Sequence, residues 1–87
     1  MDRAWLVGLW SYDTECRTTL ELADDGSFVG AEGTRGNWYL GAPGSSALYL
    51  RSGGQVGHFH AEWLGQNGLR LTQFSDRRSV SMIRCVR

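Results

Sequence analysis

The stretch "GHFHAEW" at residues 57–63 carries side chains that could bind a metal ion. His58, His60 and Glu62 are spaced two residues apart, so all three lie on one face if the segment is a β-strand. Two imidazoles and a carboxylate form a potential Zn²⁺ ligand set, which would make the chain a metal-binding protein or a metalloenzyme. The interpretation we favour is that the apolar residues between them fill a core and that the polar face is exposed. We therefore expect no cofactor and keep the metal site as an alternative.

Other groupings that would indicate catalysis are missing from the sequence. Serines are plentiful, but none lies in a G-x-S-x-G pattern or beside a histidine, and no phosphate-binding glycine loop precedes a helix. The sequence therefore predicts a protein that is not an enzyme. Arg77 and Arg78 could contact phosphate, yet zero net charge and the lack of a known nucleic-acid-binding pattern make nucleic acid an unfavoured partner.

The two cysteines, Cys16 and Cys85, lie near opposite ends of the chain. A bridge between them would close a loop of about 70 residues and contribute about 4 kcal/mol. With Cys16 on the second strand and Cys85 on the last, a closed barrel separates them by two strand spacings, ~9.6 Å. That exceeds the ~7 Å that disulfide Cα atoms tolerate. We expect two reduced thiols, and a bridge only if Cys16 sits at the tip of a tight hairpin.

The elements that must position these residues are read from apolar residues at every second position, as in "CRTTLEL", "ALYLR" and "LRLT". Such alternation, bounded by turn-forming clusters, is typical of antiparallel strands with one buried face. A single helical turn fits "RAWLVGLW". The predicted strands are 8–13, 16–23, 27–33, 36–40, 47–51, 55–64, 68–74 and 79–86.

The 87 residues, with 12 Gly and 1 Pro, are enough for a single domain spanning 1–87. An internal repeat offset by 28 residues superposes Gly8 on Gly36 and Trp10 on Trp38, which indicates a meander. We predict an all-β fold in which about eight short antiparallel strands form a closed or nearly closed small barrel. A five-stranded OB-like barrel is the alternative.

The segments "LVGLW", "LELADDGSFVG" and "GNWYL" resemble small lipocalin-like (calycin-type) barrels over roughly residues 6–54. In that group, a G-x-W on the first strand closes one barrel end and an arginine on the last strand packs across the tryptophan. The resemblance implies structural roles for Gly8, Trp10 and the Arg84 of "MIRCVR". A guanidinium over an indole face contributes ~0.5–2 kcal/mol.

Ten aromatic residues are many for a chain this short. One interpretation is that most of them fill the core. The functional prediction that we favour is a binding module that takes a small apolar or aromatic molecule at the barrel mouth, contacted by Trp10, Trp38, Tyr39 and Phe28. The alternative is an exposed patch that serves a protein partner, a second copy of the chain in a homodimer, or the bases of a single strand, formed by Trp5, Tyr12, Tyr39 and Tyr49.

Charge is balanced overall but unevenly spread along the chain. Residues 1–44 hold three Arg and seven acids, whereas residues 45–87 hold six Arg and two acids. These opposite charges could steer a partner. The N-terminus has no basic leader or small-residue cleavage site, and no apolar run approaches the ~18 residues of a membrane span. We therefore expect a cytoplasmic protein with no membrane partner.

Overall fold

Eight antiparallel strands form a closed barrel in which each strand pairs with the next along the chain and the last pairs with the first. The computed structural model describes residues 1–42 and 45–85. The elements are α1 Arg3–Leu6, β1 Gly8–Ser11, β2 Thr19–Leu22, β3 Ser27–Val29, β4 Arg35–Leu40, β5 Ala47–Ser52, β6 Gln55–Trp63, β7 Gly68–Gln73 and β8 Ser79–Cys85. The predicted all-β meander is confirmed, and the five-stranded alternative is not the fold. Two predicted features, the middle of the 41–46 turn and residue 86 of the last strand, lie outside the described residues.

The barrel interior is filled by the apolar residues of the alternating pattern. Trp38 pairs with Leu50 and Leu48 pairs with Phe59, so these side chains point inward together. Eight strands enclose a space just wide enough for side chains. The buried core consists of Leu6, Trp10, Leu20, Leu22, Phe28, Trp38, Leu48, Ala61, Leu69, Leu71 and Met82.

The predicted helical turn is present as α1, which packs against the core. It begins where the Asp2 carboxylate accepts a hydrogen bond from the Ala4 backbone N–H at 3.0 Å, a capping interaction. Leu6 is fully buried, and its carbonyl accepts a hydrogen bond from the Trp10 indole N–H at 2.9 Å. In the described part of the chain, no helix is long and apolar enough to span a membrane.

A single arginine ties α1 to the interior of the barrel. Arg84 pairs with Trp10 across β8 and β1, and its guanidinium carbon lies 4.3 Å from the Trp10 ring centroid. The same guanidinium donates to the Val7 carbonyl at 3.0 Å and to the Trp5 carbonyl. A Cβ at Gly8 would lie 2.6 Å from the Arg84 Nη1, so only glycine leaves room for this contact. The closed eight-stranded barrel agrees with the lipocalin-like resemblance in general shape.

The prediction of two reduced thiols is wrong, because Cys16 and Cys85 form a disulfide with Cα atoms 6.2 Å apart. The error lies in the placement of Cys16, which precedes β2 and belongs to the loop at residues 12–18. The Asp13 carboxylate organises that loop by accepting backbone hydrogen bonds from residues 15, 17 and 18. Because Cys16 lies in a loop and not on β2, its position is not fixed at two strand spacings from β8, and it can approach Cys85 closely enough to form the bridge.

Candidate functional site

The three candidate metal ligands lie on the outer face of β6, but the structure does not bring them together as a site. The His60 Nε2 lies 3.9 Å from the Glu62 Oε1, while the other Glu62 oxygen accepts a hydrogen bond from Arg70 at 3.0 Å. That hydrogen bond lowers the pKa of Glu62. The His58 ring is engaged with other aromatic rings. Among the residues that the structure describes, no three His, Cys, Asp or Glu side chains are grouped as a metal ion would need.

The four residues predicted to bind a ligand do not share one surface. Trp10, Trp38 and Phe28 are 0%, 2% and 5% exposed and belong to the core. The Trp38 indole N–H donates to the Ala23 carbonyl at 2.8 Å, so its polar atom is also satisfied internally. Tyr39 follows Trp38 in β4 and therefore points to the opposite face, where it is 44% exposed. An interior ligand would have to displace core side chains.

The outer wall of β4–β7 carries a row of stacked rings, which we call the aromatic strip: Tyr39, Tyr49, His58 and Phe74. Ring centroids are 5.1 Å apart between Tyr39 and Tyr49, 4.4 Å between Tyr49 and His58, and 4.0 Å between His58 and Phe74. The planes of neighbouring rings differ by 12°, 14° and 27°. The strip therefore joins four segments of chain into one continuous aromatic surface.

Strand register builds this strip from residues that are distant in sequence. Tyr39 is paired with Tyr49, and Tyr49 is paired with His58. The Phe74 backbone N–H donates to the His58 carbonyl at 3.0 Å, which continues the ladder just beyond β7. Aromatic pairs in such positions contribute about 0.5–1.5 kcal/mol beyond their area burial. The sheet therefore holds the rings in place before any partner arrives.

The two ends of the strip are open and its centre is covered. Phe74 is 54% exposed at one end, and Tyr39 is the exposed residue at the other. The His58 Nε2 is buried without a hydrogen-bond partner among the described residues, so this imidazole serves the strip as a flat ring. A planar group can therefore stack on an end ring, whereas the central rings already contact each other on their faces.

Positive charge is concentrated in the part of the chain that forms the strip and negative charge in residues 1–34, although Asp2 lines a groove with Tyr39 and Glu62 lines one with Phe74. Arg51 follows Tyr49 by two residues on the outer face of β5, and Arg77 lies in the β7–β8 turn. Both are exposed, and no described carboxylate lies within 4.0 Å of either guanidinium. The described residues from 35 to 85 hold six Arg and two acids, whereas residues 1–34 hold two Arg and seven acids.

Two open grooves meet at Phe74. One, of about 350 Å³, is lined by His60, Glu62, Thr72, Gln73, Phe74 and Arg77. The other, of about 340 Å³, is lined by Val56, Gly57, His58, Gln73, Phe74 and Ser75. Both are within the size range of small-ligand sites and combine an aromatic ring with polar groups.

Comparisons with protein-family models, with curated proteins and with solved structures find no match to this chain.

Proposed function

We propose that this chain is a non-enzymatic binding module that recognises its partner through the aromatic strip on the outer wall. The observation that carries the proposal is the stack of four rings whose two end members, Tyr39 and Phe74, are about half exposed. The filled interior is the reason for placing the ligand outside the barrel, although the sequence favoured its mouth.

Leaving aromatic rings exposed to water costs free energy, which a partner that covers them recovers. A buried aromatic side chain removes about 150–250 Å² from solvent, and contiguous exposed apolar surface on a small domain marks interaction sites. The strip is pre-organised by the sheet, so a partner loses little free energy in ordering it. A flat or aromatic partner is favoured, because it can extend the stack at an open end.

We further propose that the likeness to lipocalin-like barrels is restricted to the closed end, which is the end of the barrel where Arg84 packs on Trp10. Gly8, Trp10 and Arg84 support that likeness through their mutual contacts. An internal binding chamber is not part of the proposal, because Trp10, Trp38 and the other core side chains fill the interior of the barrel.

Chemical-shift mapping with two probes of different chemistry tests the proposed surface. Indole, at millimolar concentration, should shift the signals of Tyr39 and Phe74 and leave the Trp10 indole N–H unchanged. Laurate should shift neither set strongly. Phe74→Ala should abolish the indole effect at its own end, while the control Tyr12→Ala, which removes an equally exposed ring elsewhere, should preserve it. Shifts concentrated at Trp10 and Trp38 with laurate would instead establish a ligand in the barrel.

A second candidate function is self-association. Trp63 and Leu64 are adjacent in sequence and both exposed, and the Trp5 ring packs edge-on against Trp63 at 5.8 Å. A second copy of the chain could cover this apolar corner. Sedimentation velocity should then give a dimer for the native chain and a monomer for Trp63→Glu, whereas a monomer for both removes this candidate.

The disulfide bears on the cytoplasmic location that the sequence predicts. Disulfides persist in oxidising compartments and are rare in the cytosol. The cytoplasmic location stays a prediction, and thiol labelling of the protein in its native cells tests it directly. Cys16 and Cys85 should react with a maleimide before reduction if the prediction holds, and only after reduction if the protein works in an oxidising compartment.

A further inference from the structure

We propose that the partner of the aromatic strip is single-stranded nucleic acid, with bases stacked on Phe74 and Tyr39 and phosphates held by Arg51 and Arg77. This inference depends on the proposed function, because it names the partner of the same surface. It reverses the expectation from the sequence, which disfavoured nucleic acid on the ground of zero net charge.

The exposed end rings of the strip, Tyr39 and Phe74, can stack with nucleic-acid bases. Proteins that bind single strands combine aromatic rings, on which bases stack without regard to sequence, with cations that follow the backbone. The end rings Phe74 and Tyr39 are exposed, and the rings between them hold them at opposite ends of one row. The two end rings can therefore receive two bases of the same strand.

The charge distribution also supports this partner. The net charge of the chain is zero, but the two signs are unevenly placed. Seven of the nine acids lie in residues 1–34, at the N-terminus, on β2 and in the loops between β1 and β4, whereas six of the eight described arginines lie in residues 35–85. Arg51 and Arg77 are exposed and unpaired within the described residues, so either can bind phosphate without first breaking an ion pair. The arginine-rich part of the barrel, which carries the strip, therefore attracts a polyanion more strongly than the acidic part does.

The grooves beside Phe74 support the same partner. A base stacked there has the Gln73 amide within the same groove, and this side chain lines both grooves. An amide both donates and accepts hydrogen bonds, so it can contact the edge of any base. Arg77 lines the larger of the two grooves, so a guanidinium that can bind phosphate lies next to the Phe74 ring.

The shape of the surface favours a single strand over a duplex. Bases in a duplex are already stacked and paired, and a protein reads them by placing a helix or a β-ribbon in the major groove. The one helix in the described residues has four residues and packs against the core, so it is not available for that role. An acidic peptide would satisfy the arginines but would not use the ring faces, which makes it the competitor to test.

Fluorescence anisotropy with a labelled ten-nucleotide oligo(U) or oligo(dT), at low salt, tests the inference. Phe74→Ala and Tyr39→Ala should each weaken binding by about 5- to 160-fold, since each stacked base contributes on the order of 1–3 kcal/mol. Tyr12→Ala is the matched control, because Tyr12 is as exposed as Tyr39 but lies in the loop at residues 12–18, the acidic loop that carries Asp13 and Glu15. This substitution should change the affinity less than twofold. Phe74→Trp retains a stacking ring and should preserve binding.

Salt dependence tests the phosphate contacts separately. Arg51→Gln and Arg77→Gln should each reduce the slope of log affinity against log salt by about 0.7, the value for one phosphate contact on a single strand. Arg17→Gln is the control, since Arg17 is exposed but paired with Glu15 in the acidic loop, and should leave the slope unchanged. Thermal melting of each variant verifies that it is folded.

Several outcomes would overturn the inference. The inference is wrong if no oligonucleotide binds at tens of micromolar protein, or if duplex and single strand bind equally well. It is also wrong if Tyr12→Ala reduces the affinity as much as Phe74→Ala does, or if oligo-glutamate competes as effectively as an unlabelled oligonucleotide. Free uridine monophosphate should compete far more weakly than the oligonucleotide; equal competition per nucleotide would indicate a mononucleotide site instead. If oligonucleotides fail while indole still shifts Phe74 and Tyr39, only the choice of partner is wrong. If both probes fail, the aromatic strip is not a binding surface.

Discussion

Reduction of the Cys16–Cys85 disulfide should remove a large part of the stability of this protein. The bridge joins residues 69 positions apart, so the closed loop contains 70 of the 87 residues. Cross-linking acts mainly by restricting the unfolded chain, and its effect grows with the logarithm of the loop length. The perturbation is either a thiol reductant or the double substitution Cys16→Ser with Cys85→Ser.

The magnitude follows from that separation. A loop of this length corresponds to about 4 kcal/mol at 25 °C. A domain of this size has a total free energy of unfolding of roughly 4–13 kcal/mol, so the reduced chain would retain between almost none and two thirds of it. The barrel contacts themselves do not depend on the bridge, because β1 and β8 are paired through Leu9, Trp10 and Ser11.

Urea denaturation followed by tryptophan fluorescence measures this effect. With a slope of about 1–2 kcal/mol per molar urea, the midpoint should fall by roughly 2–4 M on reduction. The serine double variant should reproduce the reduced midpoint without reductant, which separates the effect of the bridge from any effect of the reagent. A change below about 1 kcal/mol in both forms would refute the reasoning.

Three further predictions concern the closed end and the loop. Gly8→Ala should lower the melting temperature by roughly 10 °C, because the new methyl group meets Arg84. Gly36→Ala should lower it further, since its Cβ would lie 1.9 Å from a backbone oxygen. Gly54→Ala is the control, because the space around Gly54 is open. Arg84→Lys should destabilise by about 2 kcal/mol in urea, because an ammonium cannot reproduce both hydrogen bonds of the planar guanidinium. Backbone hydrogen bonds lower the pKa of Asp13 in the folded state. The Asp13 carboxylate therefore stabilises the fold at pH values above its unfolded pKa of about 3.9, and this stabilisation is lost as the pH falls through the folded pKa. Asp13→Asn should flatten that part of a plot of unfolding free energy against pH.

The fold could be predicted from the sequence because one face of every strand is buried. Strand starts at residues 8, 27, 47, 55, 68 and 79 agree with the structure, since alternation ends sharply where turn residues begin. The repeat also has a structural meaning: Trp10 and Trp38 are both buried, and Gly8 and Gly36 both lie where a Cβ would clash. Cys16 was misplaced because "CRTTLEL" alternates although its first three residues form a loop held by Asp13.

The site was harder to predict, because it depends on register between strands. The Tyr49–His58 contact was within reach: a two-residue turn at Gly53 and Gly54 joins Ser52 to Gln55, and counting back pairs Tyr49 with His58. Phe74 could not be placed in this way, since it lies beyond the end of β7 and joins the row through one backbone hydrogen bond. Consecutive residues of a strand point to opposite faces, so Tyr39 and Trp38 cannot contact the same ligand, although the sequence prediction placed them in one site.

The size of the barrel is the physical reason for placing the proposed binding function on its outer wall. Emptying enough interior for a small ligand would require the loss of a side chain such as Trp10 or Trp38, and such a truncation costs about 3–5 kcal/mol. That is a large share of the stability of a domain this small. The exposed end rings of the strip, Tyr39 and Phe74, can contact a partner or change in sequence without opening the core. The proposed binding surface and the core thus lie on opposite faces of the barrel wall, so Phe74→Ala should lower affinity while leaving most of the stability intact.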